Sequence, residues 1–298
     1  MWLAADIAWW VAAVLGVAWL IIRRSSGRRS RSLTPLSKEL ALMFAIYAAW
    51  RTIGEFTLMT TDDAFERGRS IWKLERWLHL PNELTMQRWT LHSIALVKFF
   101  NAYYIICHVF PLGFFLVWMY MRHRGSFAHW RNQLAFVSLI CQVLQYIPVA
   151  PPRLFDDLGF IDTGAKYGPR VYDSIGESTA GQLAAMPSMH VAWAMVIGIA
   201  TVTVSRSRWR WLGAAHALLT VLAVTLTAYH WLADGIVATV VLLLGIAIAR
   251  SWNRRRNPPP AIVDPKVDDP KVDDGIDVGA QTRPAWSPSR TVTPCESL

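Results

Sequence analysis

Cysteine is scarce in this chain, with three among 298 residues. Cys107 and Cys141 fall inside apolar runs and Cys295 stands near the C-terminus, so no disulfide framework is indicated. Charge is scarce too: 17% of residues are charged and 53% are hydrophobic, a balance that argues against a soluble domain. Acidic residues are missing altogether from four segments, 23–37, 122–133, 206–211 and 250–256. A small-residue cleavage site is also lacking before Arg23 and Arg24, and Asp6 stands where a signal peptide would carry its basic head. The first apolar run therefore reads as a retained helix and not as a cleaved leader.

What the chain does have is apolar stretches of about twenty residues, the length that crosses roughly 30 Å of hydrocarbon. Seven recur, at about 2–22, 38–59, 99–121, 134–149, 189–205, 212–230 and 232–250. The expected fold is all-α: a polytopic membrane helix bundle. A net charge of +9 would point to nucleic acid in a soluble protein. Here the arginines flank the apolar runs, the signature of cytoplasmic loops beside anionic lipid, so no nucleic-acid partner is expected. With the N-terminus outside, seven spans place the four acid-free segments inside, and the remaining loops are mixed or net acidic. Residues 60–98 interleave charges with Trp72, Trp77 and Trp89, a pattern suited to helices lying in the membrane interface. Arg51 and Glu55 are spaced to pair along the second run. The tail, 257–298, is rich in Pro and Asp and repeats Asp-Pro-Lys-Val-Asp, which reads as a disordered cytoplasmic segment. The organisation expected is an N-terminal helix with its basic loop (1–37), a membrane-embedded domain (38–256) and that tail.

Two motifs at the predicted outer ends of helices carry chemistry. Pro187-Ser188-Met189-His190 resembles a helix start, with the serine as cap and the amide end a seat for phosphate. In Tyr229-His230-Trp231-Leu232-Ala233-Asp234, an imidazole and a carboxylate are four residues apart, on one face if both lie in a helix. Arg153, after Pro151-Pro152, is a guanidinium able to fork onto phosphate oxygens, with Arg170, Lys166 and Lys98 as weaker cations for the same task. Bland readings stand beside each: a capping or snorkelling His190, a structural His230–Asp234 pair, a lipid-anchoring Arg153. Tyr103, Tyr104 and His108 read as one helical face, either packing or site. A proton relay in a transporter, or a non-catalytic scaffold, is the rival class, and no inverted repeat supports it.

In this order, Pro-Pro-Arg153, Pro187-Ser188-Met-His190 and His230-x-x-x-Asp234 resemble the type 2 phosphatidic acid phosphatase superfamily. Over about residues 70–250, with Glu75, Glu83, Gln87, Tyr104 and His108, the chain is most similar to the branch holding inositol phosphorylceramide synthases and their bacterial relatives. The sequence departs from the superfamily pattern in two places. Arg-Pro occurs only at Arg283-Pro284, and Ala223 and Val224 stand where the third motif opens with Ser-Arg. The resemblance implies a six-helix core, with the first span an addition, and metal-independent phosphatase or phosphotransferase action on a lipid-linked phosphate, with no cofactor. The active site would face outward. By the same resemblance, His230 is the nucleophile that becomes a phosphohistidine, Asp234 orients it and His190 protonates the leaving alcohol. Ser188 and neighbouring amides, with Arg153, would hold the phosphate. Water as the final acceptor makes a phosphatase, a lipid or polyol hydroxyl a transferase.

Overall fold

The computed structural model describes residues 4–25, 28–55, 62–168 and 182–256. Its helices are α1 (Ala5–Arg24), α2 (Arg28–Glu55), α3 (Asp62–Trp77), α4 (Glu83–Thr90), α5 (Ile94–Arg122), α6 (Arg124–Leu144), α7 (Thr163–Tyr167), α8 (Met189–Val204), α9 (Trp211–Leu226) and α10 (Leu232–Arg256). No strand forms among the described residues beyond one isolated bridge, Val149 to Ala184. The fold is therefore the expected all-α bundle. A boundary falls between Arg256 and Asn257, and the tail beyond it lies outside the described residues.

Among the described residues, three stretches are long and apolar enough to cross a membrane: Asp6–Arg24, Arg208–Leu226 and Leu232–Asn253. A fourth arises if Glu83–Thr90 and Ile94–Cys107, bent by 117°, count as one broken span. Large apolar side chains point outward along these spans and along the second half of α5, among them Phe110, Phe114, Leu218, Leu243 and Ile248. Water would not tolerate so wide an apolar surface, whereas lipid tails solvate it. The chain is a membrane protein.

The helix α8 is the bundle's axis. It is 16 residues long, about 24 Å at 1.5 Å per residue, and is buried on nearly every side, which is why it shows almost no amphipathic bias. Val196, Ile197 and Ala200 pack against Phe115 and Met119 of α5, Val137 and Cys141 of α6, and Ala238, Leu242 and Ile246 of α10. Where α8 meets α9 the backbones approach closely: a methyl at Gly213 would collide with Thr201, and one at Gly198 would stand 3.1 Å from the Ala217 methyl. Small residues at such crossings let van der Waals packing do what the hydrophobic effect cannot do within lipid. In α5, Cys107 departs from helical geometry four residues before Pro111, which can offer no N–H to its carbonyl, so the helix kinks there.

Two expected loops prove helical. The segment 122–133 is not a connection: α6 starts at Arg124, directly after His123, and ends at Leu144, so the run expected at 134–149 is displaced towards the N-terminus. Arg131 explains the shift. It turns inward, pairs with Glu39 of α2 and bonds Asn132, so a basic residue reads as loop while serving a helix–helix contact. Likewise α2 begins at Arg28, inside the loop expected at 23–37. The expected Arg51–Glu55 pairing involves side chains outside the described residues.

Candidate active site

The two helix starts named by the motifs converge. Ser188 precedes α8 and caps it, its Oγ accepting the Val191 N–H at 3.3 Å. Its own backbone N–H donates to the Asp234 carbonyl at 3.2 Å, which ties the start of α8 to the first turn of α10. Above this junction, Val149 N–H donates to Leu183 O at 2.7 Å and Ala185 N–H to Val149 O at 3.2 Å. That short bridge fixes the carbonyl of Ala185 over the site.

His230 sits beneath that carbonyl. The structure does not meet the condition that His230 and Asp234 lie in one helix, and the break falls where the expected runs 212–230 and 232–250 part. His230 lies in the turn before α10, with Ala228 at φ 59° just ahead of it, and Asp234 is the helix's third residue. The pair still meets, because the Asp234 carboxylate folds back as in a capping box. Its Oδ2 accepts the Trp231 N–H at 2.9 Å and lies 3.3 Å from His230 Nδ1. His230 Nδ1 is also 2.8 Å from Ala185 O. A carbonyl oxygen only accepts, so Nδ1 carries a proton, and in the neutral ring the lone pair is then on Nε2.

A ladder of flat groups leads away from this histidine. The His190 ring centroid is 5.8 Å from that of His230. His190 stacks on Tyr104 at 4.1 Å, with its Nδ1 3.3 Å from the Tyr104 hydroxyl. Tyr104 stacks on Tyr229 at 4.5 Å and 7° between planes, and Arg153 lies over Tyr229 at 5.0 Å. Arg153 is almost fully buried; its Nε is 3.5 Å from Asp162 and its backbone N–H donates to Ala228 O at 2.9 Å. Gly164 of α7 is required at this point, since a Cβ there would overlap the Tyr229 hydroxyl. A narrow pocket opens below His190 between α5, α8 and α9, lined by Tyr104, Trp193, Tyr103, His216 and Thr220.

The sequence-predicted residues thus divide. Ser188, His190, His230 and Asp234 form one junction, and Arg153 joins it through the tyrosines. Lys166 is exposed and lies against its neighbour Tyr167; Lys98 is also exposed; Arg170 lies outside the described residues. Tyr103 and Tyr104 do not share a face. Successive helical residues diverge by about 100°, so Tyr104 meets His190 while Tyr103 bonds His216 of α9 at 2.7 Å. The side chain of His108 lies outside the described residues. Ala223 and Val224 are buried in apolar clusters, so no cation replaces the missing Ser-Arg at those positions. No group of three or more potential metal ligands gathers among the described residues.

One set of residues was missed. Glu75 of α3, Glu83 and Gln87 of α4 entered the sequence reading only through a resemblance. All three are fully buried. Glu75 Oε1 accepts the Ala233 N–H at 2.7 Å and Glu83 Oε1 accepts the Leu232 N–H at 3.2 Å. With Asp234 on Trp231, three carboxylates close the start of α10. Gln87 makes a paired bond with the backbone of Ile161, donating at 2.8 Å and accepting at 3.0 Å. Glu83 also accepts from Arg76 at 3.0 Å, and Arg76 lies over Trp72 at 4.5 Å. Burial first, then the neighbouring Glu83 by hydrogen bonding and by charge, push the Glu75 carboxyl from its usual range up to about 9. Apart from that resemblance, the sequence shows these residues only as two acids and a glutamine inside a mixed-charge segment.

No curated protein and no solved structure matches the chain. A family model does, over residues 69–248, from α3 to near the end of α10, leaving α1 and α2 outside. That match covers more than half of the chain, which therefore belongs to the PAP2 superfamily, whose members are generally phosphatases or phosphotransferases.

Proposed function

We propose that this protein is a multi-pass membrane enzyme that takes the phosphoryl group from a lipid-linked phosphate at the outer face, through a phosphohistidine on His230 and without a metal. The observation that carries the reading is the fixed tautomer of His230: Nδ1–H is held by Ala185 O and Asp234, leaving Nε2 as a nucleophile beside a second imidazole 5.8 Å away between ring centroids. In the first step Nε2 attacks phosphorus. The P–N bond forms, the P–O bond to the lipid alcohol breaks, and His190 gives its proton to the departing oxygen. Tyr104 stacks on His190 and holds the plane of its ring. In the second step water or another hydroxyl attacks phosphorus, the P–N bond breaks and His190 takes the proton back. Ser188, the amide end of α8 and Arg153 neutralise the oxygens, and phosphoryl transfer asks little more of a protein than this positioning.

The outward face follows from the arginine pattern, which keeps 206–211 and 250–256 inside and so brings both histidines to the opposite side. The inositol phosphorylceramide synthase-like branch is the more specific form of the proposal, with a polyol or lipid hydroxyl as acceptor and α1 as an addition to a six-helix core. Purified protein in detergent, given a panel of lipid phosphates with and without chelator, tests it. Acid-stable turnover products and base-stable radiolabel on the protein are expected in both conditions. Label and turnover should vanish in His230→Ala. In His190→Ala, turnover should recover with a nitrophenyl phosphate, whose leaving group needs no proton. Label that persists in His230→Ala and vanishes only in His190→Ala would exchange the two roles. Phosphate release names a phosphatase; a new phosphorylated lipid names a transferase.

A further inference from the structure

The buried acids of α3 and α4 do more than fill space. The first N–H groups of a helix have no partner within it, and at α10 three of them, Trp231, Leu232 and Ala233, each find a different carboxylate: Asp234, Glu83 and Glu75. One acid is local and two come from 149 and 158 residues away along the chain. The turn they hold is the one that contains Asp234 and follows His230. We propose that Glu75 and Glu83, sharing one proton, are positioning residues that clamp the first turn of α10 and thereby set the tautomer and aim of His230.

The charge balance supports the shared proton. Glu75, Glu83 and Asp234 are all fully buried; the guanidinium of Arg76 lies 3.0 Å from Glu83 and 4.0 Å from Glu75, while Asp234 faces the His230 ring at 3.3 Å. Three ionised carboxylates around one guanidinium would leave uncompensated buried charge, whose cost exceeds that of holding a proton. A neutral Glu75 would still accept from Ala233 N–H through Oε1 and would have a hydroxyl to turn towards Glu83, the acid that acts on its carboxyl most, while Glu83 keeps its ion pair with Arg76. The groups facing Glu75 are thus Glu83 from α4, Asp234 from α10 and Arg76 from α3. If Asp234 is held by this arrangement, so is the Nδ1 proton of His230, because Asp234 Oδ2 is shared between Trp231 N–H and that ring.

This inference rests on the proposed role of His230, and its test has one arm that needs no turnover. In protein labelled with ¹⁵N-histidine, subtraction of the His230→Ala spectrum identifies the ring nitrogens of His230. The wild type should show a protonated Nδ1 and a bare Nε2. Glu75→Met, which keeps volume and removes the acceptor, should shift His230 to a mixture of tautomers and lower kcat on a lipid phosphate about 10²-fold at unchanged KM. Glu75→Gln, a neutral mimic, should restore both. Glu83→Gln keeps an acceptor for Leu232 but places an amide against Arg76, and should behave like Glu75→Met; it carries the test if Glu75→Met does not fold. Wild-type spectra and kcat in Glu75→Met and Glu83→Gln would overturn the proposal, as would a Glu75→Gln variant no better than Glu75→Met. A fall in kcat with an unchanged His230 spectrum would also overturn it, since the acids would then act elsewhere. Absence of turnover in the wild type would count against the phosphatase or transferase reading alone, and the spectra would still decide the positioning role.

Discussion

The starts of α8 and α10 are the same device put to opposite uses. Both are helix N-termini, both are buried, and a backbone bond from Ser188 to Asp234 joins them. At α10 three carboxylates occupy the amides, so its positive end is spent inside the protein and anchors the turn beside His230. At α8 the cap is one neutral serine hydroxyl on Val191, so the cap itself adds no charge against the positive end of the dipole. A dianionic phosphate would be repelled by the first arrangement and attracted by the second. The lesson is that anion binding at a helix start depends on what the cap's charge is, more than on the presence of a cap.

The largest effect should come from removing charge at α10 without removing its cap. Asp234→Asn retains an acceptor for Trp231 N–H, so the fold should hold, but the amide no longer selects the Nδ1–H form of His230. By analogy with triads that lose the orienting acid, the rate should fall about 10⁴-fold. Phosphorylation kinetics with the label-trapping assay check this, and a loss below tenfold would mean that Ala185 O alone fixes the ring.

Making α8 resemble α10 is the converse experiment. Aspartate caps a helix as well as serine does, but Ser188 is fully buried, so Ser188→Asp should keep the helix start while lowering the thermal midpoint through its buried charge. It would also set a negative charge against the incoming phosphate, and kcat/KM should fall by about 10²–10³-fold, on the order of losing one oxyanion donor. Unchanged kcat/KM would place the phosphate somewhere other than the α8 terminus. Arg153→Lys probes the same seat from the far end of the tyrosine ladder. Lysine keeps the charge and loses both the planar fork and the stack on Tyr229, and a fall of about 10²-fold is expected, measured as kcat/KM at fixed ionic strength.

Legibility from the sequence tracks how local each contact is. Ser188 and His190 lie next to one another at a helix start, and His230 and Asp234 four residues apart, so local chemistry announced them. The His230–Asp234 contact itself is made across a helix start, where Oδ2 reaches back to Trp231 and His230, a geometry that spacing alone does not distinguish from two turns of one helix. Lengths of apolar runs located most of the bundle, yet α6 began early since Arg131 is buried against Glu39, and a one-dimensional reading cannot distinguish an inward arginine from a loop arginine. Tyr103 and Tyr104 were grouped by type although one step along a helix separates their faces. Glu75 and Glu83 were unreadable as caps: their partners lie about half the chain away, and in a segment alternating acids with Arg67, Arg69 and Arg76, exposure is the ordinary expectation.

The smallest effect, and the one most specific to the carboxylate-closed helix start, is in stability against pH. Glu75 has its folded value raised from 4.5 to about 9, so between those limits the folded protein holds a proton that the unfolded chain has released. Stability then falls as pH rises through that window, because the unfolded state binds fewer protons. The contribution is complete below about 4.5 and gone above about 9, where an ionised Glu75 faces Glu83 and Asp234. Glu75→Gln cannot ionise, so its thermal midpoint in detergent should decline less than that of the wild type from pH 5 to pH 9, the two curves diverging as pH rises. Ser188 at the other helix start has no titrating group, and Ser188→Ala should shift the curve down by about 1 kcal/mol without changing its slope. Parallel curves for wild type and Glu75→Gln would show that Glu75 is ionised throughout, and the contrast between the two helix starts would then rest on charge number alone and not on a retained proton.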